Sequence, residues 1–115
     1  MQLPTLSPHV NVWLEVGGEV ALSGWRVALL EAVDRHGSIN AAAAAMGIQY
    51  RLAWQRLHEM EERLGLVLVQ TTAGGTGGGG SVLTPVAREL ITRFRAMNAA
   101  IEAYVHEQVG LYFGT

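Results

Sequence analysis

Residues 37–69 read GSINAAAAAMGIQYRLAWQRLHEMEERLGLVLV. Ser38 is placed to cap a short helix, Ile39 to Met46. The alanine run Ala41 to Ala45 gives that helix a surface another helix can approach closely. Gly47 supplies a tight turn, and Ile48 follows as an apolar plug. A longer helix then runs from about Gln49 to Leu64. Its inner face is Leu52, Ala53, Leu57, Met60 and Leu64, recurring at helical steps. Its outer face is Gln49, Tyr50, Arg51, Trp54, Gln55 and His58. A short small-residue helix, a glycine turn and a longer helix with one polar face form the helix-turn-helix pattern. The second helix keeps a face free of the core, so it can enter a major groove.

Outward from this stretch the pattern extends both ways. On the C-terminal side, Leu66 to Thr71 reads as a strand, Thr72 to Ser81 as a glycine-rich loop, and Val82-Leu83 as a return strand. Thr84 with Pro85 behind it opens a last helix to about Gln108. On the N-terminal side, Val10 to Ser23 reads as a hairpin turning at Gly17-Gly18. Ser23 caps a helix to about His36, with Trp25, Ala28, Leu29, Ala32 and Val33 on one stripe. The predicted fold is mainly α with small β, a winged helix-turn-helix with a long C-terminal dimerisation helix. It forms a single domain over 1–115: an N-terminal hairpin 10–23, a helical core 24–64 holding the helix-turn-helix 38–64, a wing 66–83 and the dimerisation helix 84–108.

Composition excludes several classes. Half of the 115 residues are apolar and 16% are charged, which suits one buried core and not a disordered tail. There is no cysteine, hence no disulfide, thiolate zinc site or cysteine nucleophile. No apolar stretch approaches a membrane span, and residues 1–10 lack a signal-peptide pattern, so a cytoplasmic location is expected. The four histidines lack ligand spacing, and no nucleophile–base set is visible, so neither a metal site nor an enzyme is expected. Net charge is −2, yet no acid occurs from Arg35 to His58 or from Arg63 to Arg88. A field segregated in this way can steer a polyanion to one face of an acidic protein.

Gln49, Tyr50, Arg51, Gln55 and Arg56 carry donors for base edges and phosphates. Arg56 has a competing partner in the acids at 59–62, and Trp54 suits a groove, a core or an interface. Ser38 and Asn40, at a helix N-terminus, can donate to a phosphate. The loop residues Gly75, Thr76, Gly77 and Gly78 bring backbone N–H groups with little bulk, suited to lying against a phosphate backbone. The run lacks the Lys-Ser/Thr of a nucleotide loop. The last helix carries an apolar face too long for so small a domain. Leu90, Phe94, Met97, Ile101 and Tyr104, with Trp25, are the candidates to pack against a second copy.

These residues resemble the winged helix-turn-helix of LysR-type regulators, and more closely the N-terminal domain of the ModE family of molybdate-responsive transcription regulators. The resemblance covers roughly residues 24–108. It is carried by Gly37-Ser38-Ile39, Tyr50-Arg51-Leu52-Ala53-Trp54, Glu59-Met60, and the glycine run 74–80 followed by Leu83-Thr84. It implies that the glycine run is the wing loop, that the helix after it pairs two subunits, and that Tyr50, Arg51 and Trp54 lie on the recognition helix. Leu52 departs from the family, where a small polar residue is usual. The chain stops just after the long helix, so the family's molybdate-binding domains are absent and no cofactor is expected in this chain. The implied function is sequence-specific binding of double-stranded DNA by a homodimeric bacterial transcription regulator, linked to molybdate uptake or molybdenum metabolism. One alternative is a dimeric protein-interaction module working with a separate molybdate-binding sensor protein. A remote alternative is a small oxyanion-binding protein on the glycine loop.

Overall fold

Gly17 and Gly18, at φ 61° and 82°, make the turn that only residues tolerant of positive φ can make. They join β1 (Trp13–Val16) to β2 (Glu19–Ser23) as an antiparallel pair. The computed structural model describes residues 1–72 and 79–114. After the hairpin come α1 (Gly24–His36), α2 (Ile39–Met46), α3 (Tyr50–Leu64), β3 (Val69–Thr71), β4 (Ser81–Leu83) and α4 (Pro85–Phe113). β3 and β4 form a second antiparallel pair.

The helix boundaries follow their caps. The Ser23 hydroxyl accepts the Arg26 N–H at 3.1 Å, and the Ser38 hydroxyl accepts the Ala41 N–H at 3.0 Å. The Thr84 hydroxyl caps α4 through the Ala87 N–H, with Pro85 in the first turn. Gly37, Gly47 and Gly65 end α1, α2 and α3 in the left-handed region.

α1 is the centre of the fold. It packs on α2, α3, β2, β4 and α4. Its buried face is therefore shifted from the expected stripe: Leu29, Ala32 and Val33 are buried with Val27, Leu30 and Arg26, while Ala28 is half-buried and Trp25 is exposed. Leu57, Met60 and Ala53 of α3, Ala42 and Ala43 of α2, Leu68, Leu83, and Phe94 of α4 complete the core.

Four expectations are corrected. The hairpin starts at Trp13, not Val10, and all four β1 residues are exposed, so the apolar alternation covers no core. The pairing slips between Leu14 and Glu15, leaving Ala21 without a partner opposite it. Consecutive Ala21 and Leu22 are both buried there, as a bulge allows. Residues 66–68 are not strand. The Glu61 carboxylate accepts the N–H groups of Leu68 and Val69, and Thr84 bonds the carbonyls of Val67 and Leu68, so no ladder partner is needed.

The last helix does not stop near Gln108. It continues through Gly110 to Phe113 and caps on Gly114, a length of about 43 Å at 1.5 Å per residue. The molecule measures 65 × 29 × 22 Å along its axes. Finally, Phe94 is not on the outer face of that helix. It is 3% exposed and packs into the chain's own core, so it is withdrawn from the expected dimer contact.

Candidate nucleic-acid interface

α2, the Gly47 turn and α3 form the predicted helix-turn-helix. Ala42 and Ala43 are buried where α2 meets its neighbours, and Gly47 donates its N–H back to Ala43 and Ala44. α3 turns Ala53, Leu57 and Met60 inward. Gln49, Tyr50, Arg51, Trp54, Gln55 and His58 face solvent together. Gln49 starts α3 without a side-chain cap bond, so its amide is uncommitted.

The arginines divide into two groups. Arg26, Arg56 and Arg63 surround Glu59, at 3.2, 3.0 and 3.7 Å. Arg63 also reaches Glu19 at 3.3 Å and the Val20 carbonyl at 2.7 Å, tying α3 to the hairpin. Burial raises the pKa of Glu59, but the hydrogen bond from Arg26 and the charges of Arg56 and Arg26 lower it further, so it titrates below its ordinary value. Arg88 pairs with Asp34, Arg93 with Glu89 and Arg95 with Glu31. Among the described residues, Arg35 and Arg51 alone have neither a carboxylate nor a hydrogen-bond partner. Arg51 lies mid-face on α3. Arg56, also expected on DNA, is bound to Glu59 by two bonds from one nitrogen, at 3.0 and 3.2 Å.

Trp54 is 43% exposed and faces outward, which excludes the core for this ring. It stacks on His58 with centroids 3.7 Å apart and planes 25° from parallel. His58 Nδ1 lies 2.9 Å from the Trp54 carbonyl, which can only accept, so Nδ1 carries the proton. The i, i+4 spacing of Trp54 and His58 was the sequence signal for this stack.

The wing is fixed to the motif at its base. Ser81 donates its N–H to the Gly37 carbonyl at 2.8 Å, and Thr72 and Gly80 bond each other by backbone and hydroxyl. A Cβ on Gly80 would sit 3.0 Å from both the Gly37 carbonyl and the Thr72 hydroxyl, a tight approach that favours glycine. The result is an open cavity of about 200 Å³ lined by Ser38, Asn40, Tyr50, Thr71, Thr72 and Gly80, among others. It joins the α2 N-terminus, the start of α3 and the wing base. Thr71 and Thr72 were not named from the sequence. Gly75, Thr76, Gly77 and Gly78 lie outside the described residues.

Of the expected pairing residues, Tyr104 is 62% exposed and Trp25 39%, while Leu90, Met97 and Ile101 are half-buried. Among the described residues, no three His, Asp or Glu side chains gather as a metal site would require, and no helix is long and apolar enough to cross a membrane.

Residues 26–88 match the model of the bacterial regulatory helix-turn-helix proteins of the lysR family. The chain belongs to that family. It is also 43% identical over 76 residues to the molybdenum-pterin-binding protein MopB of Rhodobacter capsulatus, covering 66% of this chain and 28% of that one. It is 41% identical over 66 residues to the DNA-binding transcriptional dual regulator ModE of Escherichia coli K12, covering 57% of this chain and 25% of that one. The chain thus spans under a third of the length of these relatives, and the ModE resemblance seen in its residues is matched by them. Among solved structures it resembles the DNA-binding domain in the CbnR–DNA complex, at TM-score 0.57 over 76% of this chain and 95% of that one. At 18% identity this shows the fold alone.

Proposed function

We propose that this chain is the DNA-reading part of a molybdenum-linked transcription regulator, acting as a homodimer on double-stranded DNA in the cytoplasm. One observation carries the DNA reading: the N-terminal half of the outer face of α3 holds Arg51, which has no partner among the described residues, with Gln49, Tyr50, Trp54 and Gln55, and the exposed Glu62 lies only at the far end of the helix. Unpaired cationic and amide donors on an exposed helix are suited to base edges and phosphates. The α2 N-terminus and the hydroxyls of Ser38, Thr71 and Thr72 offer further phosphate donors beside it. The molybdenum link rests on the names of the relatives.

Pairing is supported by α4. Beyond Met97 it leaves the core, and Tyr104, Leu111, Tyr112 and Phe113 are 53–75% exposed. An apolar helix end of this kind suits a second copy. Two α3 helices would then enter successive major grooves about 34 Å apart. The reading assigns this chain no cofactor and no catalytic step.

The test is an anisotropy titration against DNA from upstream of the gene and its neighbouring operon, beside a shuffled duplex, at low and physiological salt. Preference for the native fragment that survives physiological salt is the expected result. Equal, weak binding to both that vanishes with salt would sink the proposal. Few arginines are free, so the decline of affinity with salt should be modest. Light scattering at micromolar protein should give twice the 12.4 kDa chain mass, and a monomer mass would remove the homodimer.

A further inference from the structure

Tyr50 and Trp54 stand one turn apart on α3, 50% and 43% exposed. With Arg51 they enclose an apolar-walled cleft of about 200 Å³ that opens to solvent. Two large aromatic rings on a helix face are costly to leave in water, and such patches mark contacts. This cleft is also rigid on one side, because Trp54 is stacked on His58 and His58 is bonded to the Trp54 carbonyl. A site held in place before binding loses less freedom when it is filled. Among the described residues its one charged wall is Arg51, a cation with no internal partner, so what enters is apolar and sits beside an electronegative group.

In a DNA major groove one apolar group meets that description. It is the C5 methyl of thymine, which lies between base edges rich in acceptors. We propose that the Tyr50–Trp54 cleft seats a thymine methyl, while Arg51 bonds an adjacent base edge, so that α3 selects a thymine at a fixed step from the base Arg51 contacts. The inference rests on the DNA reading above and names what that site recognises. Arg51 supplies the hydrogen bonds. The ring pair supplies discrimination that hydrogen bonds do not carry, because uracil and thymine share every donor and acceptor.

That difference is the experiment. The full chain is used to select a preferred site from a random duplex pool. Each thymine of that site is then replaced singly by deoxyuridine, and affinity is measured by anisotropy. Removing a methyl from the cleft should weaken binding about fourfold, the equivalent of returning one CH₂ to water. The loss should occur at one or two thymines only, and with an unchanged salt slope, since no phosphate contact is altered. Trp54→Ala should bind the thymine and uracil sites equally, and Tyr50→Ala should do so in large part. Both rings are exposed, so both variants should keep the wild-type helical circular dichroism. Trp54→Phe should retain most of the discrimination.

A selected site that tolerates uracil at every position overturns the proposal and leaves the DNA reading standing. So does a uracil penalty that persists in Trp54→Ala, because it then arises in the DNA itself. Selection that yields no preferred site overturns the DNA reading and the thymine proposal together.

Discussion

α3 and α4 are both amphipathic and both bury one face on α1 or its neighbours, yet they spend their charges differently. α3 directs Arg56 and Arg63 sideways onto Glu59 and leaves Arg51 alone on its outer face. α4 pairs every arginine it has: Arg88 and Arg95 reach across to α1, and Arg93 is tied to Glu89 on its own surface. Beyond its arginines α4 exposes large apolar and aromatic side chains, at Tyr104 and at Leu111 to Phe113. An unpaired cation among amides suits a polyanion, and an unpaired apolar helix end suits another protein surface. The same helix geometry thus offers two kinds of contact, and the partners of the charges separate them.

The largest effect should come from the inner face of α3. Leu57 is 1% exposed, so Leu57→Ala should cost about 2–5 kcal/mol in urea unfolding. A cost below about 1 kcal/mol would mean that α3 is not held by the core, and the contrast with the projecting half of α4 would lose its basis.

Next comes the charge that ties α3 to α1. Arg26 is 8% exposed and depends on Glu59. Glu59→Gln should cost about 1.5–3 kcal/mol, less than a fully buried pair because the Glu59 side chain stays 29% exposed. The pH sign follows from the depressed pKa. Stability from the ionised carboxylate is complete above its ordinary value near 4.3. It is lost as pH falls through the lower value held in the fold. Urea midpoints between pH 6 and pH 3 should therefore fall more steeply for wild type than for Glu59→Gln. Parallel curves would show that the arginine cluster does not hold the carboxylate ionised.

The helix-turn-helix and its outer face were legible in the sequence because both rest on local signals: caps, glycine stops and a 3.6-residue period. The signals failed where distant residues decide the outcome. Glu61, seven residues before Leu68, accepts the N–H groups of Leu68 and Val69, and the strand begins only at Val69. Phe94 falls in step with the apolar residues of the projecting face, but only the position of α1 shows that it points into the core. The helix also passes Gly110, because one glycine costs about 1 kcal/mol and does not by itself stop a helix. In sequence Arg51 and Arg56 differ only in the acids at 59–62 within reach of Arg56. Only the place of Glu59 shows that one is occupied and the other free.

Arg51→Ala should leave the unfolding midpoint unchanged and weaken binding to the preferred DNA by about 1–3 kcal/mol if it bonds a base edge. Equal loss on preferred and shuffled DNA would assign it to a phosphate, and no loss would remove it from the interface.

The smallest effect is the control for the whole contrast. Arg93 and Glu89 form an exposed i, i+4 pair at 2.9 Å on α4. Pairs of this kind are worth no more than about 0.5 kcal/mol, because water already solvates both ions and two long side chains must be ordered. Arg93→Ala should therefore move neither the urea midpoint nor DNA affinity measurably. It removes the same charge from the chain as Arg51→Ala, so net charge cannot distinguish the two variants. If both weakened DNA binding alike, the attraction would be a property of total charge, and the outer face of α3 would lose its special role. If only Arg51→Ala does, position on the fold decides what an arginine contributes, and pairing within the chain is what withdraws the others.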